Sequence, residues 1–268
     1  MSAIRDAKRA GRRGLTQKGA WPRAVAILLI ELLTFLLLWG LELGYYHLFG
    51  FWGLFEKSVT LTSVEPLVLG ATLVRLFLTF LVLTPLRVGR LAWFYALSNG
   101  EVYRVADAFV FYASLRYACK AILLRAVTGF CRLLLCAPAV GCAGVGVWML
   151  RLASRGDDHS GQYLVIAVCA GALALLAVIG AWILWQGFFL ADYLFLENPR
   201  MSVTQAVFRS LRLLRGKKAK TAGFLFSFIG WLLAGVLALP LLYTVPYLFS
   251  SMGAYARELQ RLPENTKA

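Results

Sequence analysis

Residues 24–41 read AVAILLIELLTFLLLWGL, with Glu31 as their one charge. Leucine, isoleucine and alanine sustain a helix, no proline interrupts the run, and apolar residues fall on every face rather than in one stripe. A helix apolar all round must be enclosed by protein or by lipid. Carried on to Tyr45, the run reaches the roughly 20 residues that cross about 30 Å of hydrocarbon. It reads as a membrane span over 24–45, and the fold turns on whether the chain holds others.

Runs at 66–86, 133–152, 163–189 and 222–249 are similarly long and apolar. Pro240 and Pro246 are expected to bend the last of them, which reads as a bent span or as a re-entrant segment. Composition agrees: 60% of the 268 residues are apolar and 15% charged, against roughly 45–50% and about 25% in soluble domains. So little charge cannot clothe a soluble surface. The expected fold class is all-α, a polytopic membrane helical bundle of about five transmembrane helices plus cytoplasmic amphipathic helices. The expected layout is a basic cytoplasmic tail over 1–23, a single transmembrane domain over 24–250 and a short tail over 251–268. The first run exceeds a roughly 7–15-residue signal core and no small-x-small site follows it, so it reads as an anchor that stays in the chain.

Charge decides the orientation. The net charge is +15, which in a soluble protein would suggest nucleic acid. Here the basic residues cluster between spans. Seven lie in 1–23, seven in 87–132 and seven in 190–221, against Lys57, then Arg151 and Arg155, then Arg257, Arg261 and Lys267 on the alternate connections. Lys and Arg collect in cytoplasmic loops. The pattern puts the amino terminus inside and, with five crossings, the carboxyl terminus outside. A sixth crossing at 106–130 would invert the third basic cluster, against that rule.

The connections have structure of their own. Ser98-Asn99-Gly100 marks a turn. The following stretch mixes aromatics with Asp107, Arg116 and Lys120, as in a helix lying in the headgroup layer or a cytoplasmic extension of the third span. After the fourth span, Asn198-Pro199 breaks the helix. Ser202 and Gln205 have capping-box spacing. Val203, Ala206, Val207, Ser210, Leu211 and Leu214 share an apolar or small face, Arg209, Arg212 and Arg215 point elsewhere, and Gly216 ends the helix. Gly40 and Gly44, Cys142 and Gly146, Ala170 and Ala174, and Ala177 and Ala181 are spaced for close helix contact. The five cysteines form no CxxC pair and read as small packing residues.

The last third carries a recognisable order: Asp192, Pro199, Ala206, Ser210, Gly216-Lys217-Lys218, Ser227-Phe228-Ile229-Gly230-Trp231, then Pro246-Tyr247 and Tyr255. It resembles the bacterial membrane proteins grouped as domain-of-unknown-function family 975, clearly over 188–262 and loosely over 74–112. Two details depart from that pattern: extra residues separate Asp192 from Asn198-Pro199, and Ala254-Tyr255 stands where Phe-Tyr is usual. The resemblance implies a multi-pass protein of a bacterial plasma membrane and supplies no activity. Asp192, Ser210, Gly216, Ser227, Gly230, Trp231, Pro246 and Tyr247 are the motif positions.

Charges within the hydrocarbon are the first candidates for function, since each costs roughly 2.5–3.5 kcal/mol at mid-helix and needs a partner or water. Arg75 lies near the middle of the second span and Glu31 in the cytoplasmic half of the first, so an Arg75–Glu31 pair is expected. Arg132 is expected to snorkel to phosphate, and Asp192 to pair with the nearby basic helix. Arg209, Arg212, Arg215, Lys217, Lys218 and Lys220 form the candidate contact for anionic lipid. Asp157-Asp158-His159 reads as a solvated loop, not a metal site, and Ser227 to Trp231 as packing through Gly230. No catalytic residues, metal or cofactor are expected. The sequence points to a non-enzymatic scaffold, accessory subunit or lipid-interacting bundle. Its partners are membrane lipids, anionic on the cytoplasmic face, and at most another membrane protein, with no nucleic acid. A small transporter or channel component using Arg75 and Glu31 is the alternative.

Overall fold

Straight-chain and aliphatic residues dominate the long runs, and little in them competes for backbone hydrogen bonds, so they form continuous helices. The structure, a computed structural model, describes residues 2–48, 66–156, 158–234 and 240–261. Among them there is no strand. Lys57, Asp157 and Lys267 lie outside the described residues.

The helices are α1 (Ser2–Leu15), α2 (Ala20–Leu48), α3 (Pro66–Leu97), α4 (Leu115–Ala153), α5 (Ser160–Trp185), α6 (Ala191–Glu197), α7 (Val203–Leu213), α8 (Lys218–Phe226), α9 (Ile229–Ala234) and α10 (Leu241–Arg261). A 3-10 segment, Val105–Tyr112, stands between α3 and α4, and a short 3-10 turn, Gln186–Phe188, follows α5. The chain divides into two compact units. The first is Met1–Leu123 with Trp231–Glu258, and the second is Leu124–Gly230 with Leu259–Ala268.

Four stretches are long and apolar enough to cross a membrane by length and composition: Ala20–Tyr45, Leu69–Leu97, Leu115–Ala153 and Ser160–Glu197. The chain is a multi-pass membrane protein. The expected spans 24–45, 133–152 and 163–189 lie within these stretches, and 66–86 overlaps Leu69–Leu97. The stretches are longer than the spans because the helices continue beyond the apolar run. At 1.5 Å per residue, the 39 residues of α4 reach about 58 Å, nearly twice the roughly 30 Å of hydrocarbon.

Burial along α3 marks the change of surroundings. Leu69, Leu73, Leu76, Phe77 and Phe80 are exposed, whereas Leu83, Leu86, Val88, Leu91, Trp93, Phe94 and Leu97 are buried. Contiguous exposed apolar surface on this scale is a membrane-facing surface. The buried part belongs to a packed layer at the basic end of the first unit. There Leu15, Ala20, Ala24, Ile27, Trp93, Phe94, Leu97 and Ala108 form one core, with Tyr247 and Phe249 against it. Full burial of side chains as large as Trp93 and Phe94 stabilises by roughly 1.5–3 kcal/mol each.

Three close approaches assemble that layer. A Cβ on Gly11 would fall 2.7 Å from the Ser251 backbone nitrogen, and one on Gly14 would fall 2.8 Å from the Leu97 carbonyl oxygen. The small-residue face of α1 therefore lies directly on α10 and α3, and the expected tail is a docked helix. Gly89 lets the 3-10 segment touch α3, for a Cβ there would overlap the Ala108 carbonyl. The Tyr112 hydroxyl donates to the Val82 carbonyl, next to Pro85, which has no N–H to give the helix. Burial pushes the Tyr112 phenol above its ordinary pKa, opposed by the Leu86 backbone N–H.

The fifth expected span is corrected. Run 222–249 is not one helix: α8 ends at Phe226, α9 covers Ile229–Ala234, and α10 begins at Leu241. The Ser227 N–H closes on Gly223 and Phe224 carbonyls, finishing α8. Nor does α10 leave on the opposite side. Arg257 donates to the Tyr95 carbonyl at 2.9 Å and the Ser98 carbonyl at 3.1 Å, capping the end of α3. Its guanidinium also stacks 4.9 Å from the Tyr95 ring. Residues 250–257 therefore sit at the end of the first unit that also holds α1. Apolarity alone suggested a crossing; Ser250 and Ser251, both fully buried, and the amphipathic pattern of α10 mark a helix packed on protein instead. Residues 106–130 likewise do not form one helix: they are a 3-10 segment, a break at 113–114 and the start of α4.

Candidate functional site

In the first unit, α2 and α3 run antiparallel, and their charges meet in two tiers. Glu31 accepts from Arg87 Nε at 2.9 Å and also pairs with Arg90. Arg75 pairs with Glu42, whose side chain is 7% exposed. The expected Arg75–Glu31 pair does not form. In an antiparallel hairpin, paired residue numbers share a nearly constant sum, here 117 for Glu42 with Arg75 and 118 for Glu31 with Arg87. Glu31 is eleven residues from Glu42, about 16 Å along the helix, beyond the reach of an arginine stem at Arg75. The sequence held the signal. Two glutamates eleven apart lie on one stripe of α2, and Arg75 and Arg87, twelve apart, match them on α3.

In the second unit, charge gathers where α4 and the α5–α6 connection meet. Asp192 is 8% exposed and accepts from Arg125 Nη2 at 3.1 Å. The expected pairing with the basic helix is corrected: the partner is on α4. Two more features surround the pair. The Arg132 guanidinium lies 5.1 Å from the Trp185 ring centroid, within electrostatic reach of both Asp192 and Arg125. Asp192 Oδ1 and the Nε atoms of Arg125 and Arg132 are buried without a hydrogen-bond partner among the described residues. Arg132 thus stacks on an indole, where snorkelling alone was expected. Arg125 and Arg132 were legible only as members of a basic connection, because the residue that draws them together is sixty positions further on.

Above Trp185, α4 and α5 flank an open apolar cleft of about 490 Å³, with Cys136, Ala139 and Ala143 on one side and Gly171, Ala174 and Trp185 on the other. The helices touch through small residues: a Cβ on Gly146 would be 3.5 Å from the Ala167 carbonyl and 3.6 Å from Ala170 Cβ. The spacing of Gly146 and Ala170 thus marks a real contact. Gly40, Gly44 and Gly230 meet nothing within 4 Å, so the packing expected through Gly230 is absent among the described residues, and Trp231 is 55% exposed.

The helix after the fourth long run folds as its sequence dictates. The Ser202 hydroxyl accepts from Gln205 N–H, and the Gln205 side chain accepts from Ser202 N–H, both at 3.2 Å. Val203, Ala206, Val207 and Ser210 are buried, and Gly216 turns the chain at φ +74°. The Ser210 hydroxyl donates to the Gly187 carbonyl at 2.7 Å. That bond fixes α7 against the turn after α5. Ser210→Ala should lower unfolding stability by about 1–3 kcal/mol, because the buried carbonyl loses its donor; thermal unfolding of the detergent-solubilised protein reads the change. With its small face turned inward, α7 leaves Arg209 and Arg212 exposed, and Arg215 and Lys220 are exposed beyond it; Lys217 and Lys218 are half-buried. Of the remaining motif positions, Pro246 lies within α10 and Tyr247 stacks on Tyr243 at 6.0 Å. His159 stands edge-on to Tyr163.

Residues 5–262 match the family model described as "Protein of unknown function (DUF975)". The match reaches nearly the whole chain, well beyond the motif-bearing last third. No curated protein matches the chain, and no solved structure does.

Proposed function

The chain belongs to the DUF975 family of unknown function, and on that footing we propose a non-enzymatic scaffold or accessory bundle whose basic end gathers anionic lipid in the cytoplasmic leaflet of a bacterial plasma membrane. The observation that carries this reading is the division of α7. Its apolar and small side chains are buried against the turn after α5, and Arg209 and Arg212 remain exposed beside Phe208, itself 69% exposed. Each Lys or Arg near an anionic surface gains about 1 kcal/mol, and an exposed aromatic among them suits the interface. The same charge accounts for the +15 balance without nucleic acid. In this reading the three basic clusters keep the amino terminus and the connections at 87–132 and 190–221 in the cytoplasm. Lipids are the partners, no cofactor enters, and nothing requires a general base.

Quenching of the eight tryptophans by brominated lipid tests it. The intact protein in mixed vesicles should be quenched several-fold more by brominated anionic lipid than by brominated zwitterionic lipid at equal bulk fraction. The excess should shrink in high salt and on replacing Arg209, Arg212, Arg215 and Lys220 with glutamine. Equal quenching by the two lipids at low salt would end the proposal. One observation keeps a second reading: a groove of about 420 Å³ beside Arg75 and Glu42 suits a small transporter or channel component. Ion leakage through liposomes holding the protein, abolished by Glu42→Gln, would favour it.

A further inference from the structure

The geometry points to a binding site in the second unit for one phospholipid with a single net negative charge and a hydroxyl-bearing headgroup, of the phosphatidylglycerol kind. This inference rests on the lipid-interacting reading and names the lipid and its seat.

Charge comes first. Arg125, Arg132 and Asp192 together leave one positive charge in a place largely removed from water, where uncompensated charge is costly. A phosphodiester carries one negative charge and two acceptor oxygens. The Nε atoms of Arg125 and Arg132 are two buried donors without acceptors among the described residues. A phosphate is the natural partner for guanidinium donors.

The hydroxyl follows from Asp192. Its Oδ2 is engaged by Arg125, but its Oδ1 is buried with no donor. A headgroup that only accepts hydrogen bonds would leave that oxygen unsatisfied, at a cost comparable to a lost hydrogen bond. A hydroxyl supplies the donor while leaving the headgroup at one negative charge. A zwitterionic ethanolamine headgroup also offers a donor, but its own positive charge leaves the excess on the arginines in place.

The chain of the lipid follows from the cleft. Arg132 stacks on Trp185, and Trp185 forms one end of the apolar cleft that runs to Gly171. The 14 helical steps from Gly171 to Trp185 span about 21 Å, enough for one leaflet at roughly 15 Å. The cleft volume near 490 Å³ falls in the range of small-molecule and cofactor pockets, about 300–1,000 Å³. Ala139, Ala143, Gly171 and Ala174 keep the walls low. The phosphate would thus sit at Arg132 and one acyl chain would lie between α4 and α5.

Native mass spectrometry of the intact protein tests this, after reconstitution in equal parts phosphatidylglycerol, phosphatidylethanolamine and phosphatidylcholine and extraction into mild detergent. One phosphatidylglycerol per chain should be retained, at least tenfold above either zwitterionic lipid. Arg132→Met should reduce retention about tenfold. Ala174→Phe, which fills the cleft without touching a charge, should do the same, so the test survives if either variant misfolds. Asp192→Asn should move the preference toward a lipid with two negative charges, which loss of packing alone would not do. Retention of phosphatidylethanolamine equal to phosphatidylglycerol, unchanged retention in both Arg132→Met and Ala174→Phe, or complete displacement by millimolar inorganic phosphate would overturn the site. If the site fails while anionic lipid still dominates tryptophan quenching, the general lipid reading stands alone; if quenching fails too, both fall.

Discussion

Glu42→Leu is expected to destabilise the protein by about 3–5 kcal/mol, and Glu42→Leu with Arg75→Leu to regain most of that loss. Both side chains are largely buried, at 7% and 18% exposure, so neither can turn to water when its partner is removed. A lone guanidinium at this depth keeps its desolvation penalty and loses its Coulomb partner. Two leucines present only apolar surface, which lipid and the neighbouring helices accept. Thermal unfolding in detergent, read by tryptophan fluorescence, orders the three proteins. Charge reversal tests the register separately. Arg75→Glu with Glu42→Arg should refold to near wild-type stability, whereas Arg75→Glu with Glu31→Arg should not. Rescue by the second combination would mean that Arg75 pairs with Glu31 after all.

Gly89→Leu should be the most damaging glycine substitution. A Cβ there would overlap the Ala108 carbonyl oxygen and lie 2.8 Å from its carbon. Those are backbone atoms and cannot swing aside, so the whole 3-10 segment must lift from α3. Overpacking costs about 1–3 kcal/mol, and exposing Phe111, now 6% exposed, adds roughly 1.5–3 kcal/mol. Even Gly89→Ala places the offending atom and should be measurably less stable. Limited proteolysis should cut within 99–114 in both variants and spare the wild type. Gly141→Leu is the control: its Cβ meets nothing within 4 Å, and it replaces a poor helix former. Equal stability of Gly89→Leu and Gly141→Leu would show that the 3-10 segment is not seated on α3.

Much of this fold was legible because its strongest signals are local. A continuous run such as 24–45 permits only a helix in lipid, and Ser202, Gln205 and Gly216 announce both ends of α7. The failures were nonlocal. The pairing of Arg75 depends on hairpin register, which span boundaries taken one at a time do not give. The seat of Asp192 depends on Arg125, far off in sequence. Run 222–249 was read by apolarity, but α10 is apolar on the side that packs on α1 and α3, and Arg257 is held by carbonyls at the end of another helix. Hydropathy cannot tell a helix solvated by lipid from one solvated by its own protein. Burial can, and Ser250, Ser251 and Thr244 of α10 are all buried against protein.

We propose that the chain crosses the membrane an even number of times, with α10 returned to the side of α1. Cysteine labelling of the full-length protein tests it most directly. The five native cysteines are replaced by alanine, and Asn99→Cys, Arg155→Cys, Arg215→Cys and Arg261→Cys are introduced one at a time. In intact cells, a membrane-impermeant maleimide should label only the Arg155→Cys protein, and the other three should react only after the membrane is opened. Labelling of Arg261→Cys from outside, with Asn99→Cys still protected, would contradict the account and restore an odd number of crossings.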